Sequence, residues 1–435
     1  MPPRLFTITS STSPTTPGIQ RNLTIASTPS TSRMKLRSLN ELLLVIFSPT
    51  IYYTLAQHLS TVNPYWRYAN FAIHPQQNNL LVTLREDHTN DKDNKHSENV
   101  VNTICVVDIT KPEAAPNIII QGADFYATPV LNPSGNKISW QQWNLPDMPW
   151  QGGLIYVADV SVESGSLKVK SDPVLVAGEA GKKSATFPSW ITDTTLAYTT
   201  DEHNKFQNPY IFNTESKEPS QSTAVLKTPL TQDFAEPAWS LGLYPYAVLG
   251  GKKEEYGVFT AFKDGANILY IVDLNTPSDP VLIKSFTTLG FTVAQHVRAA
   301  SKHTFVFTAS KTSAPGGVIE GTVSGSSGSY TVKFCELKSS AGGKSDVEVK
   351  TLKASADDER DVTKYISPPI PKTVSVSGGH PINVVYYAPY NPEYSPKDPN
   401  ERPPCILNVH GGPTGLESQA LNWTKQFYTS RGFAW

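Results

Sequence analysis

The clearest chemical signature in this 435-residue sequence is the tripeptide His410, Gly411 and Gly412, which directly follows the apolar run 405–409. That run predicts a short strand buried on both faces. The two glycines allow a positive φ and bring N–H groups against a ligand, because neither has a Cβ in the way. An N–H group held there can stabilise the oxyanion that forms when a carbonyl is attacked, an effect worth about 3–4 kcal/mol. The alternative is an ordinary Gly-Gly-Pro surface turn.

A turn of this kind follows the third strand of α/β-hydrolases and supplies one oxyanion-hole N–H. The nucleophile of those enzymes lies in a Gly-x-Ser-x-Gly elbow, followed in chain order by Asp and His. The 435 residues contain no Gly-x-Ser-x-Gly sequence. We therefore name His410, Gly411 and Gly412 as an oxyanion loop and name no catalytic residue. His410 either orients that loop or is a structural histidine.

The segment His410–Thr414, together with Gln426-Phe427 and Thr429–Ala434, resembles the start of the catalytic domain of the prolyl oligopeptidase family. Within the family it is most similar to the acylaminoacyl-peptidase and dipeptidyl-aminopeptidase branch. The resemblance implies a serine peptidase that hydrolyses short peptides, acylated ones or units released from N-termini. Its serine would attack the carbonyl, a histidine would act as base, and the N–H of Gly411 or Gly412 would hold the oxyanion. Since the nucleophile elbow is missing, we expect a truncated chain that is inactive as written.

The middle of the chain, from about residue 65 to about residue 364, repeats itself. Each unit begins with an aromatic residue and a proline, continues with a β-rich run, and ends with a second run that often closes on Asp. The starting segments are Phe71–Pro75, Tyr126–Pro129, Phe187–Trp190 and Phe234–Trp239, and a weaker fifth unit contains Phe305–Phe307 and Tyr330–Phe334. Such hairpin units bury their faces only by stacking on neighbours and closing into a ring. The prediction is a mainly β chain with a β-propeller of seven blades, and an array of β-sandwiches is the structural alternative.

The family resemblance extends over these repeats. The segments Phe125–Trp150 and Phe234–Trp239 look like particular propeller segments of the family, and the match runs from about residue 65 onward. One departure is Asn132-Pro133-Ser134-Gly135, where the family usually has Ser-Pro-Asp-Gly; both versions suit a turn.

The predicted organisation has three parts. Residues 1–60 form a leader, residues 61–366 the β-propeller, and residues 367–435 the start of an incomplete α/β-hydrolase domain. In the last part, 373–377 and 382–387 predict a β-hairpin, and 418–431 predicts a helix with its aromatic residues on one face.

The leader has two interpretations. Residues 1–40 are rich in Ser, Thr and Pro and precede the first acidic residue, Glu41, a composition typical of a disordered tail or of an organelle transit peptide. The apolar stretch that follows is broken by Pro49 and is about 15 residues long, shorter than the roughly 20 that a spanning helix needs. We do not expect a membrane protein, although a signal anchor stays open.

Composition narrows the functional classes. The formal net charge is −1, which argues against electrostatic binding of nucleic acid. Cys105, Cys335 and Cys405 are far apart and fit neither a disulfide framework nor a zinc site, so a reducing, cytoplasmic setting is expected. We expect no metal and no cofactor, a short peptide as substrate of the complete enzyme, and leave a homo-oligomer open. The alternative function is a non-catalytic propeller that binds protein or peptide partners.

Overall fold

The computed structural model describes residues 62–111, 114–215, 222–238, 240–251, 254–339, 362–375, 377–398, 400–412 and 414–435. The predicted leader, residues 1–60, lies outside these ranges. Within them the protein is mainly β, as predicted from its repeats.

Five antiparallel sheets follow one another along the described part of the chain between residues 66 and 339. Sheet 1 contains β1 (Trp66–Ile73), β2 (Leu80–Asp87), β3 (Val101–Asp108) and β4 (Asn117–Gln121). Sheet 2 contains β5 (Phe125–Leu131), β6 (Lys137–Trp143), β7 (Leu154–Glu163), β8 (Ser166–Val169) and β9 (Val174–Ala177). Sheet 3 contains β10 (Ala185–Trp190), β11 (Thr195–Thr200), β12 (Asn208–Asn213) and β13 (Thr223–Ala224). Sheet 4 contains β14 (Tyr246–Leu249), β15 (Tyr256–Lys263), β16 (Ala266–Asp273) and β17 (Val281–Leu282). Sheet 5 contains β18 (Phe291–Ala299), β19 (Thr304–Lys311), β20 (Gly317–Ser324) and β21 (Thr331–Ser339).

The remaining elements are few and short. A two-stranded sheet pairs β22 (Pro369–Val374) with β23 (Ile382–Tyr387). Helices among the described residues include α1 (Pro149–Gly152), α2 (Lys284–Thr288) and α3 (Trp423–Thr429), and two 3₁₀ turns span Ser97–Asn99 and Val362–Tyr365. Within the described residues, no helix is both long and apolar enough to cross a lipid bilayer.

Consecutive sheets pack face to face, with one hydrophobic cluster between each pair. The cluster between sheets 1 and 2 includes Val82 and Ile104 on one side and Trp140 on the other, each at most 1% exposed. Equivalent clusters join sheets 2 and 3, sheets 3 and 4, and sheets 4 and 5. Because each sheet is stabilised by its neighbours, this is the stacking of propeller blades, and it agrees with the predicted architecture. The predicted count of seven blades stays a prediction.

The first strand of four sheets contains the same irregularity. The register of β1, β5, β10 and β18 shifts in mid-strand, and one shift in each of these strands coincides with a non-glycine residue at positive φ. These residues are Asn70, Thr128, Phe187 and His296, with φ between 48 and 57°. A β-bulge of this kind increases the local twist and turns the following side chains. The aromatic-Pro segments in the sequence mark three of these bulged strands.

In sheet 4 the aromatic-Pro segment precedes the first strand. β14 begins at Tyr246, after the segment that starts at Phe234. Phe234 and Ala238 are buried in the cluster between sheets 3 and 4, and Trp239 lies outside the described residues. Residues 234–238 therefore contribute core side chains between two blades and do not form a strand.

The part of the chain after residue 366 matches the prediction only in places. The predicted hairpin forms as β22 and β23, with β22 starting earlier than expected. The predicted helix over 418–431 is shorter, and its residues Trp423 and Phe427 are 54% and 52% exposed.

The prediction of a buried strand at 405–409 is wrong for this structure. Cys405 makes only an isolated parallel bridge with Ala434, while Leu407 and Val409 are 83% and 77% exposed. A parallel strand is buried only where strands and helices cover it from both sides.

Candidate functional site

The predicted oxyanion loop lies on the surface of the segment that follows the hairpin. His410, Gly411 and Gly412 are all exposed. Gly412 has a φ of 73°, a conformation that glycine adopts without steric cost. A Cβ added to Gly411 or Gly412 would meet no atom within 4 Å, so the backbone of both is open to a ligand. The space beside the two glycines is therefore open, and their role as oxyanion donors stays a prediction.

His410 packs against its own loop. A Cβ on Gly415 would lie 2.5 Å from His410 Nδ1, so the ring covers that glycine closely. The same nitrogen is 3.4 Å from the carbonyl oxygen of Gly411. These contacts lie within the loop itself, and both roles expected for His410 stay predictions.

A polar bridge closes the loop at its base. Asn408, just before the loop, donates through Nδ2 to Glu417 Oε2 at 2.8 Å. The other oxygen of Glu417 pairs with Lys425 Nζ of α3 at 2.5 Å, and the Lys425 side chain is only 2% exposed. Lys425 also donates to the carbonyl oxygen of Ser418 at 2.9 Å. Residues 409–416 are therefore held at both ends by one carboxylate.

Sequence reasoning missed this bridge. Asn408, Glu417 and Lys425 follow no motif spacing, and a lysine in a short helix is usually solvated. Burial of Lys425 depends on the contact between α3 and the loop. No local sequence pattern predicts this contact.

The segment that carries the loop is docked on one end of the propeller. Gln419 Nε2 donates to the carbonyl oxygen of Asp264, in the turn between β15 and β16, at 2.8 Å. The N–H of Leu421 donates to the carbonyl oxygen of Lys311 at the end of β19, and Thr312 Oγ1 donates to the carbonyl oxygen of Gln419, both at 2.8 Å. The loop is thus fixed near the ends of sheets 4 and 5.

The docked segment also has an open apolar groove of about 1290 Å³ beside α3. Its walls include Tyr386, Tyr390, Tyr394, Trp423 and Phe427. This groove is lined largely by aromatic side chains, and Leu407 and Val409 elsewhere in the segment are also exposed, so the segment presents more apolar surface than an ordinary polar surface does.

No family model matches the sequence, and none of the curated proteins does. Solved structures match it clearly. A puromycin-hydrolysing peptidase of Mycobacterium tuberculosis is 25% identical with a TM-score of 0.64, over 85% of this chain and 50% of that chain. A puromycin hydrolase is 20% identical with a TM-score of 0.66, over 85% of this chain and 49% of the other. A prolyl endopeptidase is 11% identical with a TM-score of 0.56, over 84% of this chain and 46% of the other.

The chain spans about half the length of these three proteins. The two matches below 25% identity speak for the fold alone. The structural neighbours are peptidases of the kind that the sequence motifs predicted, so the resemblance to the prolyl oligopeptidase family is confirmed.

Proposed function

We propose that this chain, a structural relative of prolyl oligopeptidase-family peptidases, contributes the β-propeller and the oxyanion side of a serine peptidase that acts on short peptides. In this proposal residues 61–366 form the propeller and residues 367–435 begin the α/β-hydrolase domain. The observation that carries the proposal is the open Gly411-Gly412 backbone on a segment docked against the propeller end by Gln419.

The proposal divides the chemistry between residues of this chain and residues outside it. The N–H of Gly411 or Gly412 would donate to the oxyanion, and the Asn408–Glu417–Lys425 bridge would hold the loop in place. The serine, its histidine base and the orienting aspartate have no counterpart in these 435 residues, which contain no Gly-x-Ser-x-Gly. We therefore expect the 435-residue chain alone not to hydrolyse peptides.

The exposed apolar side of the docked segment supports the same proposal. In an α/β-hydrolase sheet, a neighbouring strand and helix cover side chains such as Leu407 and Val409. The propeller would lie over the site and exclude large folded substrates. Acylaminoacyl- and dipeptidyl-peptidase activities are the substrate modes we propose, and puromycin is a further candidate because two structural neighbours are described by its hydrolysis.

We also propose a cytoplasmic location. The three cysteines of the chain all lie in the described residues, and none of them forms a disulfide. Free thiols of this kind suit a reducing compartment.

The test compares the 435-residue chain with the protein translated from the complete transcript. Both are assayed with acetylated aminoacyl, free aminoacyl and dipeptidyl chromogenic substrates. We expect hydrolysis only by the product of the complete transcript. We also expect Gly412→Val in that product to lower kcat by roughly 10²–10³-fold, with a smaller change in KM, because valine does not tolerate a φ of 73°.

Two results would overturn the proposal. Hydrolysis by the purified 435-residue chain would show that other residues do the chemistry. A complete transcript without a nucleophile elbow, with a stable and inactive product, would favour the alternative of a propeller that only binds partners.

A further inference from the structure

A second cavity, of about 430 Å³, opens between sheets 1 and 2. Arg67, Glu86 and Asn102 line it from sheet 1. These three residues are directly opposite one another on β1, β2 and β3, so they form one row on one face of the sheet. Phe125 and Trp143 line the cavity from sheet 2.

The cavity lies at the end of the propeller on which the hydrolase segment docks. Gln419 binds the turn at the end of β15, and antiparallel pairing puts the start of β14 at that same end. Leu241, in the connection that leads into β14, also lines the cavity. A molecule in this cavity would therefore sit on the side of the propeller that carries the oxyanion loop.

The walls of the cavity are mostly apolar and aromatic. The rings of Phe125 and Trp143 are stacked, with centroids 5.3 Å apart and planes inclined by 13°. Leu145 and Met148 complete this wall and are 63% and 36% exposed. Small-ligand sites typically have volumes of roughly 300–1,000 Å³ and apolar walls with a few polar groups. An aromatic side chain of a ligand would contact these rings and be buried against this wall.

The row from sheet 1 adds a donor and an acceptor. Arg67 is exposed and its Nη2 donates to Asn94 Oδ1 at 2.6 Å. The Glu86 side chain is 43% exposed, and its Oε2 lies 3.2 Å from His88 Nε2. Arg67 and Glu86 therefore each contact a different neighbour. Arg67 can still donate hydrogen bonds at the cavity, and Glu86 can still accept them. A peptide backbone, with one N–H and one C=O for each residue, is complementary to such a pair.

We propose that this cavity is a substrate subsite that binds an aromatic side chain of a short peptide against Phe125 and Trp143, while Arg67 and Glu86 bind the peptide backbone. The inference deepens the proposed function and rests on it, since it assigns part of substrate selection to the propeller. The residues that set this preference are then Leu145 and Met148 together with the stacked pair.

The experiment is a calorimetric titration of the full 435-residue chain, which needs no catalysis. The probes are acetyl-Ala-Phe-Ala-amide and acetyl-Ala-Ala-Ala-amide. We expect the phenylalanine peptide to bind with a Kd at least tenfold lower. Leu145→Asp and Met148→Ala should each weaken its binding about tenfold, and Arg67→Gln should weaken both peptides alike.

The matched control is Ile109→Asp. Ile109 is 45% exposed and follows β3 at the opposite end of sheet 1. The binding curve of the Ile109→Asp variant should therefore equal that of the parent chain. Circular dichroism and the melting temperature identify any variant that fails to fold. If Leu145→Asp is unstable, the test relies on Met148→Ala, which adds no charge.

Equal affinity for the two peptides overturns the inference, and so does unchanged binding in both folded wall variants. These failures are distinct from failure of the proposed function, which is read from hydrolysis by the complete-transcript protein. Selective binding of the phenylalanine peptide, with no hydrolysis by the complete-transcript protein, would leave the subsite standing and overturn the peptidase proposal.

Discussion

His74 is an example of a residue whose protonation state follows from its contacts. It is 3% exposed, and its Nδ1 accepts from the N–H groups of Gln76 and Gln77 at 3.2 and 3.1 Å. Its Nε2 therefore carries the proton and donates to the carbonyl oxygen of Gly135 at 3.0 Å. The ring joins the β1–β2 turn to the β5–β6 turn and so links two blades. A Cβ on Gly135 would lie 2.4 Å from the ring, which leaves no room for a larger residue.

This arrangement predicts a loss of stability in mild acid. Burial lowers the pKa of His74, and the hydrogen bond to Gly135 offsets this only in part. With the folded-state pKa below the unfolded value of about 6.5, the unfolded chain binds the proton more readily. The contribution of His74 is present above pH 6.5 and falls as the pH is lowered through that value. We expect His74→Gln to destabilise the protein more at pH 7.5 than at pH 5, as measured by urea unfolding at both pH values.

The same measurement on Gln76→Ala is the control, because that variant keeps the N–H that binds His74 Nδ1. Its effect should not depend on pH in this range. An equal loss of stability for His74→Gln at pH 5 and pH 7.5 would contradict the assigned protonation.

At the scale of elements, the blades depend on glycine where an aromatic ring crosses a neighbouring strand. Phe305 of β19 is directly opposite Gly321 of β20 and is fully buried. Its ring packs against Phe307 and Phe334, with centroids 5.4 and 6.3 Å away. The ring therefore occupies the place that a side chain at position 321 would take, which is why the strand interior contains a glycine.

We accordingly expect Gly321→Ala to destabilise sheet 5. The added Cβ would lie 2.3 Å from Phe305 Cζ, and the surrounding aromatic rings prevent the ring from moving away. Overpacking of this kind costs about 1–3 kcal/mol, measurable as a lower urea midpoint. Gly411→Ala is the matched control, because an added Cβ there meets nothing within 4 Å. Similar midpoints for the two variants would show that sheet 5 adapts to the methyl group.

At the scale of the whole molecule, polar contacts among the described residues fix the segment after residue 366 relative to the propeller. Gln419 is 4% exposed and bonds to the β15–β16 turn, while Gln426 of α3 binds both the N–H and the carbonyl oxygen of Ser367. The bonds of Gln426 join α3 to the start of the segment, and those of Gln419 join the segment to sheet 4. The hydrogen bond of the Gln419 side chain is thus one of the contacts that position the loop at 410–412, together with the Leu421–Lys311 and Thr312–Gln419 bonds at sheet 5.

Gln419→Ala should loosen this docking without unfolding the blades. Loss of one buried hydrogen bond, with the Asp264 carbonyl oxygen left unpaired, costs about 1–3 kcal/mol. Hydrogen exchange measured by mass spectrometry should become about tenfold faster in peptides from 414–435 and stay unchanged in sheets 1 to 3. Gln76→Ala, which removes an exposed bond within the propeller, is the control. Faster exchange throughout the chain would instead indicate that docking and blade folding are coupled.

Much of the fold could be predicted because its signals are local. The aromatic-Pro segments and the alternating runs indicate strands such as β2 and β3, and the run at 382–387 indicates β23. Gly411 and Gly412 were identified from residue type and from the strand-like run before them. Each of these signals depends on a few adjacent residues, whose side-chain direction and backbone freedom are set by the chain itself.

Tertiary structure alone decided the rest, because burial depends on what packs from elsewhere in the chain. Leu407 and Val409 have the composition of a core strand, yet they are exposed, and the bridge that this run forms among the described residues joins Cys405 to Ala434. Glu417 pairs with Lys425, and Arg67 lines the same cavity as Trp143. No sequence pattern links the members of either pair. The sequence by itself thus determined many of the segments that form strands, and where an oxyanion could be held stays a prediction from the sequence. The packing of distant strands decided which faces are covered and which residues meet at a site.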